Sequence, residues 1–149
     1  MTDRIPEHVR PLAFGMVELM RDMVVIMREL FGDDLDAALI MVCVINATMQ
    51  KFMASAGPDS QVLRRPVLPE DIRGSISRRM IADKTGLPRE TVRRKVAVLI
   101  GQNLLYVDAA GGVRPTPRLH DPETQAVVAS AHDAVIRYMS TVRSYGVER

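Results

Sequence analysis

The chain has 149 residues, 47% of them hydrophobic and 26% charged, with a formal net charge of +2. This length and composition carry one globular domain with its own core and exclude general disorder. The one cysteine, Cys43, excludes an internal disulfide and a CxxC or Cys/His metal site; within an apolar run it reads as a small buried hydrophobe.

The opening MTDRIPEHVR is charged and carries a proline, unlike a secretory signal. The longest apolar run, Ala37 to Ile45, is well short of the roughly 20 residues a bilayer span requires. The expectation is a soluble, cytoplasmic protein with no membrane partner. The small net charge conceals a local one. Residues 1–72 hold 7 basic and 11 acidic side chains, a balance of −4, and residues 96–149 hold five of each. Residues 73–95 hold 8 basic and 2 acidic, a balance of +6. A solvated helix face interleaves acids for i,i+4 pairing. This window mostly does not, and a local cationic patch is what a polyanion requires of its partner.

In chain order, residues 7–31 read as a helix. Leu12, Met16, Leu19, Met20, Met23, Met27 and Leu30 recur at spacings of three and four, which predicts one apolar stripe for a core or a dimer seam. Gly32 ends it, and Asp33 or Asp34 caps the next helix, 34–54. That helix is apolar nearly all round and needs cover on several sides, so a partner subunit is expected. Residues 55–71, with three prolines and a glycine, read as a linker or irregular arm.

Residues 77–85 predict a short helix, capped by Ser77, with Met80 and Ile81 turned inward. Gly86 supplies a tight turn. Residues 88–100 form the next helix, with Pro88 at its start, where a missing N–H costs nothing. Val92, Val96 and Leu99 share its inner face; Glu90, Arg94 and Ala97 lie opposite, flanked by Arg89 and Arg93. Residues 104–107 read as a strand, 108–112 (DAAGG) as a turn, and 113–114 as a short return strand stopped by Pro115 and Pro117. Asp121 caps a long final helix, with Pro122 in its first turn and Gly146 past its end. Its apolar positions are Val127, Val128, Ala131, Val135, Tyr138, Met139 and Val142. They suit a dimerising face or packing within the domain. The organisation expected is 1–54 as N-terminal helices for core and dimerisation, 55–71 as linker, 72–118 as the motif, and 119–149 as a C-terminal dimerisation helix.

The fold class predicted is therefore mostly α. Two short helices, a glycine turn and a hairpin make a winged helix-turn-helix with flanking N- and C-terminal helices. Small Ala82 lets the first motif helix approach the second, and Val92 locks the second to the core, leaving its outer face free for a major groove. Arginine there can bond guanine O6 and N7, a carboxylate can accept from cytosine N4, and remaining cations neutralise phosphates.

The stretch ISRRMIADKTGLPRETVRRKVAVLIGQNLL, residues 76–105, resembles the helix-turn-helix of the catabolite activator (cyclic-AMP receptor) and FNR-type regulators. The likeness rests on Arg89, Glu90, Thr91, Val92 and Arg94, and on Gln102–Leu104, and covers about 45 residues with the wing. The resemblance implies that Arg89, Glu90 and Arg94 read bases and that Arg78 contacts phosphate. Thr91, Arg93, Lys95 and Arg114 complete the expected backbone contacts. No β-rich cyclic-nucleotide barrel precedes the motif. Helices on both sides of it are more similar to the MarR-type dimeric regulators.

Three departures stand out. Lys95 occupies a position the family keeps apolar, Ile100 and Gly101 stand where it places acids, and the wing tip has no cation. An outward Ile100 points to a contact with another helix or subunit. His8, His120 and His132 are scattered, with surface or capping roles expected, and no Ser/His/Asp, HExxH, P-loop or paired-carboxylate arrangement occurs. Neither enzymatic activity nor a cofactor is expected. The partners expected are double-stranded DNA and a second copy of the chain; any small-molecule effector is unknown. The competing reading is an adaptor whose basic face docks an acidic protein or structured RNA.

Overall fold

The computed structural model describes residues 4–147; residues 1–3 and 148–149, the outer ends of the expected N- and C-terminal segments, lie outside the described residues. Among the described residues the protein is mostly helical, with five α-helices and one small two-stranded antiparallel sheet. The chain divides into two compact units: the ends up to Gly32 and from Asp121 onward form one, and Asp33–His120 the other.

The first unit pairs α1 (Val9–Phe31) with α5 (Pro122–Ser144). Gly15 packs beside Tyr138 and Val142 near the end of α5, while Asp22, two turns further along α1, accepts from Arg137 Nη1 at 2.9 Å, on the N-terminal side of both on α5. As α1 runs forward α5 runs back, so the pair is antiparallel. Gly15 is the one fully buried residue of α1, because a Cβ there would stand 3.1 Å from both Tyr138 and Val142 side-chain carbons. This close approach turns the helix from its expected orientation. Leu12, Leu19 and Met23 are half-buried as the stripe required, but Met16, Met20 and Leu30 are exposed. The face of α5 also splits. Val127, Ala131, Ala134, Tyr138 and Val142 are buried or half-buried, while Val128, Val135 and Met139 face outward. Asp121 precedes α5 in extended conformation and Gly146 follows it with φ 74°.

The second unit contains α2 (Leu35–Met53), α3 (Arg78–Thr85), α4 (Arg89–Gly101), β1 (Leu105–Val107) and β2 (Val113–Pro115). Asp34 caps α2 by accepting from the Ala37 N–H at 3.0 Å. Ala37, Ala38, Ile40, Met41 and Val44 enter the core, which Ile81, Val92, Val96, Leu99, Leu105 and Val113 complete. Burying the Ile, Val, Leu and Met side chains among these stabilises the unit by about 1.5–3 kcal/mol each. Because α2 packs on α3, α4 and β2, it belongs with the hairpin, and the division falls at Gly32–Asp33 rather than after residue 54. By length and composition α2 is also apolar enough to cross a membrane, which its nine-residue run did not suggest. A core helix passes the same test, and one face of α2 is packed in this unit. The expected linker 55–71 holds two 3₁₀ turns, Gln61–Arg64 and Glu70–Ile72.

Gly74 carries the chain back across α2. A Cβ there would lie within 2.3 Å of the Ala47 carbonyl oxygen, so only glycine fits. The Gly74 N–H donates to Thr48 O at 3.0 Å, and Thr48 Oγ1 donates back to Gly74 O at 3.1 Å, which satisfies that buried hydroxyl. Ile76 then pairs with Val113 on the hairpin edge through reciprocal N–H···O bonds of 3.2 and 2.8 Å. This bridge was not foreseen, since a single extended residue has no periodicity. The hairpin pairs Leu105 with Pro115, Tyr106 with Arg114 and Val107 with Val113. Pro115 thus lies within the return strand rather than stopping it, which is tolerated on a sheet edge, where no ladder partner needs its missing N–H.

Candidate nucleic-acid interface

Ser77 Oγ accepts from the Met80 N–H at 3.1 Å and starts α3, as an N-cap serine should. Ile81 and Ala82 face the core, but Met80 is 44% exposed, contrary to the inward position expected for it. The helix is only eight residues long, and its inner stripe is two residues wide. Gly86 ends it in the left-handed region, φ 73°, with its N–H on Ala82 O at 2.9 Å. Pro88 is the cap residue of α4 rather than its first residue, so the helix begins at Arg89 and runs to Gly101. Val92, Val96 and Leu99 are buried, as their spacing predicted. Arg94 and Glu90 stand on the opposite side, both exposed, and Arg89 is exposed in the first turn.

The cations of the +6 window are not equivalent. Arg73 is 8% exposed; it donates to Tyr106 Oη at 3.3 Å and Pro115 O at 2.7 Å, and lies 5.9 Å over the Tyr106 ring. Lys95 is held by Asp34, Nζ to Oδ1 at 2.7 Å, with its side chain 19% exposed. Arg93 forks onto Glu90, with Nε donating to Oε2 at 2.9 Å and Nη2 donating to Oε1. Arg78, Arg79, Lys84, Arg89 and Arg94 remain without a hydrogen bond or ion pair among the described residues, with Arg78 half-buried and the other four exposed.

Outside the window, Arg114 is also withdrawn. Its side chain is 13% exposed, with Nε donating to Asp108 Oδ2 at 2.7 Å and Nη1 to the carbonyls of Glu70 and Arg73 at 2.9 and 2.6 Å. Of the residues expected on phosphate, Lys95 and Arg114 therefore hold the fold together with the bonds they would offer a ligand. Arg78 and the half-buried Thr91 stay on the α3–α4 side, and Arg93 is committed to Glu90.

These pairings shape the titration of the acids. The Lys95 ammonium, with the Ala37 N–H, holds the Asp34 carboxyl below its ordinary value. Arg93 does the same for Glu90, and Arg114 with the Gly112 N–H for Asp108. Burial pushes the half-buried Cys43 thiol up. Sequence reasoning missed the Arg73–Tyr106–Glu70 cluster, in which Tyr106 Oη also donates to Glu70 Oε1 at 3.2 Å. Tyr106 lies 33 positions from Arg73 and 36 from Glu70, and the three follow no motif, so no local signal marks them.

Among the described residues no group of three or more His, Cys, Asp or Glu is arranged to hold a metal ion. No protein-family model matches this chain, and no curated protein or solved structure matches it.

Proposed function

We propose that this chain is a sequence-specific double-stranded DNA-binding protein: a winged helix-turn-helix transcriptional regulator that acts in the cytoplasm as a homodimer. One observation carries the reading. Of the four cations on α4, the two that form no hydrogen bond or ion pair with an acid are Arg89 and Arg94, the same two arginines that the motif resemblance implies as base readers. In this reading α4 is the recognition helix and enters the major groove. Arg89 and Arg94 make bidentate bonds to guanine O6 and N7, and Glu90 accepts from cytosine N4. Arg78 and Thr91 position the helix on the phosphates, aided by Arg79 and Lys84. Lys95 and Arg114 keep their internal carboxylates.

Dimerisation is supported by the first unit. Phe14, Val17 and Met20 of α1 are 56–66% exposed, and Val128 and Ile136 of α5 about half exposed. A second copy that covers them gives the two recognition helices the two-fold relation a palindromic site requires, with half-sites about one helical turn, ~34 Å, apart.

The test is duplex selection from a random pool, followed by affinity measurements on Glu90→Gln and Arg78→Ala. Glu90→Gln should relax preference at one base pair per half-site, and Arg78→Ala should weaken all sequences alike. Equal losses on every sequence from both variants would refute the role assignment. Binding of an acidic protein or a structured RNA, with no selected duplex, would refute DNA recognition in favour of an adaptor.

A further inference from the structure

We propose that Arg93 is a positioning residue for Glu90: it presents the Glu90 carboxylate in one fixed orientation for base recognition instead of binding a DNA phosphate. The inference rests on the reading that α4 enters the major groove, and it names what sets specificity at one base pair of that site.

The two residues are one helical turn apart at the start of α4, and both stand in the open, their side chains 73% and 65% exposed. Their geometry is a fork, each carboxylate oxygen taking one guanidinium N–H. A bidentate pair of this kind fixes direction as well as distance. A carboxylate offers about four lone-pair sites, and the fork occupies two, so two remain for a cytosine amino group. An unheld glutamate has three rotatable bonds and must be ordered at the moment of binding; one already held avoids that ordering cost. Arg93 also answers a difficulty that Glu90 creates. A bare carboxylate beside a phosphate backbone is repelled, and the adjacent guanidinium cancels its charge before DNA arrives. Arg94, whose charge also acts on Glu90, makes no hydrogen bond to it and remains free.

The contrast with Lys95 sharpens the assignment. Lys95 pairs with an acid from another helix, at the edge of the buried face, where the pair serves packing. The Arg93–Glu90 pair lies within one helix on its solvent side, where an i,i+3 pair adds only about 0.2–0.5 kcal/mol to the helix and leaves the held carboxylate open to a ligand.

Two readouts on Arg93→Met and Arg93→Lys decide the matter, with helical content confirmed by circular dichroism. In the free protein, carboxyl-resolved NMR follows the titration of Glu90. It should move up toward the ordinary glutamate value in Arg93→Met, because the hydrogen-bonded partner that lowers it is gone. On selected duplexes, Arg93→Met should flatten discrimination at the Glu90 base pair by about five- to tenfold, the low end of what one good base contact supplies. Discrimination at the Arg89 and Arg94 positions and the salt slope should hold. Arg93→Lys, which cannot form the fork, should behave like Arg93→Met. If Arg93→Met instead weakens all sequences alike and lowers the dimer's salt slope by about 1.8, roughly 0.9 per subunit, Arg93 is a phosphate contact and the proposal fails. An unmoved Glu90 titration also overturns it. No duplex binding by the wild-type protein would sink the major-groove reading and the proposal with it, whereas the first two outcomes sink the proposal alone.

Discussion

Asp34 does two things with one oxygen. Its Oδ1 accepts from the Ala37 N–H and from Lys95 Nζ, so the carboxylate that starts α2 also ties down the middle of α4. The substitution Asp34→Asn separates the two, since asparagine caps a helix about as well but carries no charge. In that variant Lys95 is released, and the salt slope of duplex binding by the dimer should steepen by about 1.8, roughly 0.9 for each subunit, as one more cation per subunit reaches phosphate. An unchanged slope would show that Lys95 leaves Asp34 for DNA in the wild-type protein anyway. The same residue has a pH signature. Its folded-state value lies below the ordinary carboxylate value of about 3.9, so the stability it contributes is complete above that value. It is lost as pH falls through the lowered one. Urea midpoints at pH 7 and pH 3 should therefore differ more for wild type than for Asp34→Asn. Equal differences would mean that the pair adds nothing.

At the scale of elements, the crossing of Gly74 over α2 is the least forgiving point of the second unit. Gly74→Ala places a methyl group within 2.3 Å of the Ala47 carbonyl oxygen and must break the paired bonds with Thr48. Overpacking and lost hydrogen bonds together predict destabilisation of about 2–4 kcal/mol. Thermal or urea unfolding measures it, and a loss under about 1 kcal/mol would show that the strand from Gly74 to Ile76 yields easily. The elements themselves were legible in the sequence where the cause is local. Ser77 capping α3, Gly86 turning the chain and the Val92–Val96–Leu99 face follow from neighbours three or four residues away, and each is found. What escaped depends on distant partners. Gly15 lets α5 approach and rotates the face of α1, so Met16 and Met20 are exposed although their spacing fits a stripe. Arg114 looks like a phosphate contact until Asp108 and the Glu70 and Arg73 carbonyls surround it. Half of the expected cation set could be sorted only by knowing which acids the fold brings near.

For the whole molecule, exposed apolar side chains occur in both units, on α1 and α5 of the first and on α2 of the second, where Leu35, Leu39, Val42, Ile45, Met49 and Met53 face outward. The unpaired cations on α3 and α4 belong to the second unit. Apolar faces suit a meeting with a second copy, and a cationic face suits a polyanion. The central claim is that the α3–α4 surface binds duplex DNA, and a titration of affinity against salt tests it most directly. With about three phosphate contacts per subunit in a dimer, the logarithm of the binding constant should fall linearly with the logarithm of salt, with a slope near −5. The double substitution Arg89→Ala and Arg94→Ala should abolish preference at the base pairs those two arginines read while that at the Glu90 base pair remains. A flat salt dependence, or unchanged preference at the Arg89 and Arg94 base pairs in that variant, would contradict the account.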